Sequence, residues 1–174
     1  MARLDLSVTG VERFFDPSEV IVSKTDSTGK ITYCNRTFMK IAGYSEAELM
    51  LAPHSILRHP EMPRCVFKLL WDTIASGQEI FAYVINRTKA GDYYWVLAHV
   101  TATYTPSGGI SGYHSSRRVP DRAAIGKIQP IYRDLLAVES GHHDRKEGLK
   151  ASYDTMLTLL RQNRVTYDEF VFSL

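Results

Sequence analysis

Apolar residues change their spacing several times along the chain, and each change predicts an element. Residues 19–25 (EVIVSKT) and 30–34 (KITYC) mix β-branched and polar positions on either side of Asp26-Ser27-Thr28-Gly29. The central tetrapeptide is turn chemistry, so the pair predicts a β-hairpin. From Asn35 the spacing becomes three to four: Phe38, Ile41 and Ala42 mark a short helix that Asn35 caps and Gly43 ends. Ser45 and Glu48 have capping-box spacing and open a second short helix through Leu49. The longest helical run of this half is 63–76, where Val66, Phe67, Leu70, Trp71 and Ile74 form one broad apolar face before Gly77. Three strand-like runs follow, 80–87, 93–104 and 110–117, joined by Lys89-Ala90-Gly91-Asp92 and Pro106-Ser107-Gly108-Gly109. The order predicts an α+β domain, a five-stranded antiparallel sheet with short helices on one face.

That domain is expected to span residues 19–118, with flanks on both sides. Residues 1–18 form a lead-in, in which Val8 to Phe15 is weakly amphipathic and stops at the turn signal Asp16-Pro17. Residues 119–174 read as a C-terminal helical extension. Asp121 opens a helix carrying Ile125 and Ile128, and Pro130 is expected to kink or restart it before Ile131, Leu135 and Leu136. Ser140 to Glu147 reads as a polar linker. Leu149, Tyr153, Met156, Leu157 and Leu160 then make a second amphipathic helix, and Thr166 to Glu169 has capping-box spacing before a short aromatic end. The extension therefore predicts a helical hairpin, or an exchange element, whose apolar stripe needs a partner surface.

Composition narrows the function. A length of 174 residues is about one domain plus a modest extension, and 23% charged with 44% hydrophobic residues is ordinary for a globular protein. A net charge of +2 gives no electrostatic reason to expect nucleic acid or an anionic membrane as partner. Cys34 and Cys65 stand alone, as reduced, buried thiols would. No apolar run has the length of a transmembrane helix, and the N-terminus lacks the apolar core of a signal peptide, so the expected location is cytoplasmic. There is no Gly-rich phosphate loop, no GxSxG and no HExxH, and Thr166-Tyr167-Asp168-Glu169 is acidic but isolated, so no enzymatic activity is expected. His54 and His59 lack a carboxylate cluster and make a poor metal site, and His142-His143 reads as solvated.

The candidate chemistry lies in two segments. PHSILRHPEMP (53–63) sets Arg58 and His59 side by side ahead of a proline-bounded helix start, and INRTKAGDYYWV (85–96) is a polar-tipped hairpin feeding an aromatic strand. A flat ring with apolar faces and a hydrogen-bonding edge would suit them. Phe67 and Trp71, one helical turn apart, would pack on its face, and Asn86 would offer donor and acceptor to its edge. Arg58 would hold phosphate oxygens as a bidentate fork, with His59 or a helix N-terminus assisting. Plainer readings stand beside these: Phe67 and Trp71 as core, Arg58-His59 as a surface loop, Asn35 as a helix cap, Asn86 as strand-end turn chemistry.

With TDSTGKITYCNRTFMKIAGYSEAEL in its first part, the element order resembles the PAS sensory domain. PHSILRHPEMP together with NRTKAGDYYWV and ISGY (110–113) is similar, more narrowly, to the PAS domain of aerotaxis receptors, over roughly residues 23–136. The resemblance implies a noncovalently bound FAD that reports redox state. It puts Arg58 and His59 at the pair needed for FAD, Glu61 where aspartate is usual, and Asn35, Phe67, Trp71 and Asn86 near the flavin or in its signalling shell. It also marks departures at Phe81, Leu97, His99, His114 and Ser116, which are expected to alter the pocket's polarity, and a further departure is expected in that no membrane anchor or signalling module would follow. A homodimer and an unknown downstream partner are implied. Two other readings remain: a haem gas sensor, with His99 or His114 as axial ligand because the 63–76 helix holds no histidine, and a cofactor-free interaction module.

Overall fold

The computed structural model describes residues 7–174. Its elements follow the predicted order closely. The first hairpin is β1 (Ile21–Asp26) and β2 (Ile31–Cys34), turning at Gly29 with φ 84°. The short helices are α1 (Arg36–Ala42) and α2 (Glu46–Leu49), and a single 3-10 turn over His54–Leu57 leads to α3 (Arg64–Ala75). The meander is β3 (Ile80–Arg87), β4 (Tyr93–Tyr104) and β5 (Ile110–Arg118). All strand pairs are antiparallel, in the order β2-β1-β5-β4-β3. Placing β1 beside β5 closes the sheet around its middle and leaves β3 at one edge.

Local rules account for the boundaries. Asn35 Oδ1 accepts from the Phe38 amide, and Gly43 closes α1 in the left-handed conformation (φ 74°). The reciprocal Ser45/Glu48 capping box is formed. Both cysteines are free and buried.

The lead-in is more closely tied to the domain than its weak pattern suggested. From Thr9 to Arg13 it runs alongside the β3–β4 turn and the start of β4. The bonds are Thr9 N–H to the Gly91 carbonyl (3.0 Å), Tyr93 N–H to Val11 (2.9 Å) and Arg13 N–H to Tyr93 (2.6 Å). Asp92 fastens it further, accepting from Thr9 Oγ1 (2.5 Å) and pairing with Arg13 Nε (2.5 Å).

The extension forms α4 (Arg122–Ser140), α5 (Arg145–Asn163) and α6 (Tyr167–Phe172). Pro130 does not restart α4, which runs through it. Ile125 and Ile128 before it and Tyr132 and Leu135 after it are all buried, and that burial outweighs the proline penalty of about 3 kcal/mol. The expected linker 140–147 shrinks to 141–144, because Asp144 caps α5 through the Lys146 and Glu147 amides. The hairpin's apolar stripe finds its partner within the chain. Here α5 packs on α4 and α3, and α6 packs on β3. Tyr132 of α4 donates to the Tyr83 carbonyl on the β3 edge (2.6 Å) and stacks on Trp95 (6.1 Å between centroids). No helix among the described residues is long and apolar enough to cross a membrane.

Candidate functional site

Strand pairing sets one face of the sheet against the helices. Arg117 lies opposite Ile21 and Ala98, Ser115 opposite Ser23 and Val100, and Tyr113 opposite Thr25 and Ala102. By strand alternation these side chains share a face with Val84 and Asn86 of β3. Between this face and α3 is a cavity of about 350 Å³, the size expected of a small-molecule site. Phe67, Leu70, Trp71 and Ile74 of α3 form its apolar wall, and Leu57 and Arg58 form the rim. Trp71 meets Tyr113 edge to face (5.5 Å) and lies over Gly29, where a Cβ would come within 2.9 Å of the indole. The glycine is thus needed twice, for its positive φ and for the indole.

Several buried donors in this wall lack a hydrogen-bond partner. Arg58 and Asn86, far apart in sequence, are joined by an isolated antiparallel backbone bridge that brings both side chains to the cavity. The Arg58 guanidinium lies over the Phe67 ring (4.7 Å), and its Nε is buried without a hydrogen-bond partner. Burial, with the charges of Arg145 and Arg64, holds its pKa below the usual arginine value. Asn86 Nδ2 is also buried and unpartnered, and its cross-strand neighbour Tyr94 approaches without closing a bond to it. Arg117 is the most unusual of the set. It is 2% exposed, donates Nη2 to Ser23 Oγ and stands over the Phe38 ring (4.8 Å), while Nε and Nη1 have no partner. Burial pushes its guanidinium down to about 10. His54 turns its ring into the wall, 3.2 Å from Ser23 Oγ, and burial with the Arg117 charge pushes it far down, to about 3. Among the described residues, no aspartate or glutamate lines the cavity. A buried cation without a carboxylate is costly, so the arrangement calls for a ligand with a flat apolar body and several acceptor or anionic atoms.

Four of the six residues singled out in the sequence converge here: Arg58, Phe67, Trp71 and Asn86. His59 and Asn35 do not line the cavity. His59 is 3% exposed, packs on the Tyr93 ring (5.6 Å) and accepts the Glu61 amide at Nδ1 (3.2 Å), so it fixes the loop that presents Arg58. Asn35 bonds the Val20 carbonyl (2.7 Å) and the Val22 amide (3.1 Å) besides capping α1, a structural set that occupies its amide. Phe81, Leu97, His99, His114 and Ser116 were expected to change the pocket's polarity, and strand parity puts them on the opposite face of the sheet. There Phe81 stacks on His99 (4.2 Å) and meets Phe172 of α6 (4.8 Å). The residues missed were Arg117, His54 and Ser23. One signal was available for Arg117: it alternates in step with Tyr113 and Ser115 on a strand whose inner face had to be covered. No cluster of three or more metal-ligating side chains exists among the described residues.

Comparison with known proteins agrees with this geometry. The profile described as the PAS fold matches residues 31–116. The aerotaxis receptor of Escherichia coli (strain K12) is 38% identical over 117 residues, covering 67% of this chain and 23% of the receptor. The nitrogen fixation regulatory protein of Klebsiella pneumoniae is 29% identical over 103 residues, 59% of this chain and 21% of the regulator. The chain thus spans between a fifth and a quarter of the length of these relatives. Among solved structures, the light state of the blue-light photoreceptor Aureochrome1 LOV superposes with a TM-score of 0.56 at 23% identity, covering 66% of this chain and 91% of that one. Fold, strand order, helix-walled cavity and the aligned relatives converge: the chain contains a PAS domain, similar to the part of the aerotaxis receptor with which it aligns.

Proposed function

We propose that this PAS domain is a redox sensor that binds FAD noncovalently in the cavity between α3 and the sheet. The observation carrying the reading is the set of unspent buried donors, Arg117 Nε and Nη1, Arg58 Nε and Asn86 Nδ2, facing an aromatic wall with no carboxylate. These residues fit a flavin: the wall suits the ring's flat faces, Asn86 and Arg117 suit its acceptor edge, and Arg58 at the rim suits phosphate. A solved PAS-like neighbour studied with a flavin analogue lends the fold-level precedent. The flavin supplies a ring edge whose protonation changes with reduction. Asn86 would meet either state of that edge by presenting its amide oxygen or nitrogen. Its strand β3 carries the contacts to the extension, through the Tyr83 carbonyl to Tyr132 and through Phe81 to Phe172. A shift at Asn86 therefore bears on the terminal helices as a two-state element. The domain acts in the cytoplasm as a homodimer, through binding to a downstream partner and without enzymatic activity.

The test is an absorbance spectrum of the purified protein before and after dithionite, with release of the chromophore to distinguish FAD from FMN. A yellow protein that bleaches on reduction, and loses its colour in Arg58→Ala, is expected; His59→Ala should lose it through the loop. A colourless protein that takes up no added FAD would overturn the reading in favour of a cofactor-free interaction module. The haem reading is disfavoured, because His99 and His114 lie on the far face of the sheet and, among the described residues, His54 is the one histidine that lines the cavity. A Soret band shifting with carbon monoxide would restore it.

A further inference from the structure

The N-terminus of α3 lacks a cap of its own. Pro63 precedes it, and proline has no side-chain oxygen to offer the orphan amides of the first turn. The missing group comes from the extension, 75 residues on. Glu139, in the last turn of α4 and 7% exposed, accepts the Cys65 amide at Oε1 (3.1 Å) and pairs with Arg64 Nε at Oε2 (2.9 Å). The same Oε1 accepts Ser152 Oγ of α5 (2.9 Å), a residue with no exposed surface. Arg64 continues the junction by donating Nη1 to the Arg145 carbonyl at the start of α5 (2.8 Å). Gly148 lets the helices close, since a Cβ there would stand 2.4 Å from the Glu139 carbonyl oxygen. Three helices thus converge on one carboxylate, and one of them is the wall of the cavity.

We infer that Glu139 is a positioning residue that latches the C-terminal hairpin to the cavity helix, so that docking of α4 and α5 and closure of the ligand site form one coupled element. The inference rests on the ligand site proposed above. Release of the carboxylate leaves the first turn of α3 uncapped, and that turn holds Phe67 under Arg58. Arg58 also lies within the electrostatic reach of Arg64, Arg145 and Glu139, so the rim cation and the latch share one charge cluster. A ligand that neutralises Arg58 lowers the repulsion among three guanidiniums and tightens the latch. By linkage, a docked hairpin raises ligand affinity by the same factor.

Hydrogen exchange on the full chain tests this, comparing wild type with Glu139→Ala and Glu139→Gln. Glu139→Ala leaves a buried amide unpaired, and exchange at Cys65 and across the first turns of α3 and α5 should rise together by roughly tenfold or more. Glu139→Gln keeps the amide-accepting oxygen and should restore Cys65 to near wild-type protection while giving up the ion pair to Arg64. Faster exchange in α5 with α3 unchanged, or no change in either, would overturn the latch. Added FAD should slow α5 exchange in wild type and not in Glu139→Ala. If the protein takes up FAD and wild-type α5 exchange stays as it was, the coupling to the site is wrong. If no FAD is taken up, the flavin reading fails, and the substitution series alone decides the latch.

Discussion

Arg117→Met separates a structural arginine from a ligand-holding one. The guanidinium is 2% exposed, has two unpartnered nitrogens and is pushed by burial from the usual arginine range down to about 10. At about 1.4 kcal/mol per tenfold, that corresponds to roughly 3 kcal/mol of uncompensated burial, which methionine relieves. Against this, the variant loses the bond to Ser23, about 1.5–3 kcal/mol for a charged donor, and the contact over Phe38, about 0.5–2 kcal/mol. Methionine replaces the packing at similar volume. The terms nearly cancel, so flavin-stripped Arg117→Met should stay within about 2 kcal/mol of wild type. Breaking a buried ion pair costs about 3–5 kcal/mol by comparison. Flavin affinity should nonetheless fall about ten- to a hundredfold, because the lost bonds to ligand are charged ones. Urea denaturation of the stripped protein gives the first quantity, provided the slope is unchanged, and titration by quenching of flavin fluorescence gives the second. A stripped variant weakened by more than 3 kcal/mol, or one that binds FAD as tightly as wild type, would refute the reasoning.

Three further outcomes follow from particular contacts. His54 and His59 are held neutral in the fold, with burial the first cause of each depression, so the unfolded chain binds their protons more readily. Stability is therefore full above the unfolded value near 6.5 and lost as pH falls below it, by up to about 1.4 kcal/mol per pH unit for each group; a urea midpoint that stays flat between pH 7 and 5 would contradict this. Gly29→Ala combines a φ of 84° with a Cβ 2.9 Å from the Trp71 indole, and should cost about 1–3 kcal/mol and shift tryptophan emission; unchanged emission and midpoint would show that the indole moves freely. Tyr132→Phe deprives the Tyr83 carbonyl of its donor at 2.6 Å and should lower stability by about 1–2 kcal/mol, with a neutral result meaning that water reaches the edge.

The alternation of 80–87, 93–104 and 110–117, and the caps at Asn35, Ser45 and Thr166, were legible because they are local. Each depends on residues within a turn or a strand of one another, and the structure reproduces those boundaries to within about a residue or two. Two walls of the cavity were legible for the same reason, Phe67 and Trp71 from helical spacing and Arg58 from its place before α3. Pro130 misled because a local rule was set against burial on both sides of it, and the 140–147 stretch because polar residues also start helices.

Strand order and facing required the tertiary structure. Whether Asn86 points in or Phe81 points out is a matter of parity, and a shift of one residue reverses it. Only the pairing of β1 with β5 and of β5 with β4 puts Arg117 inside, next to Ser23 and His54 and away from any carboxylate. The backbone bridge between Arg58 and Asn86 and the carboxylate that Glu139 lends to α3 join residues 28 and 74 positions apart (86 − 58 and 139 − 65). Periodicity and capping act within a few residues, so the sequence by itself determined the elements and the family they resemble. The donors left unpaired at the cavity, and the helix that closes it, were decided by long-range packing.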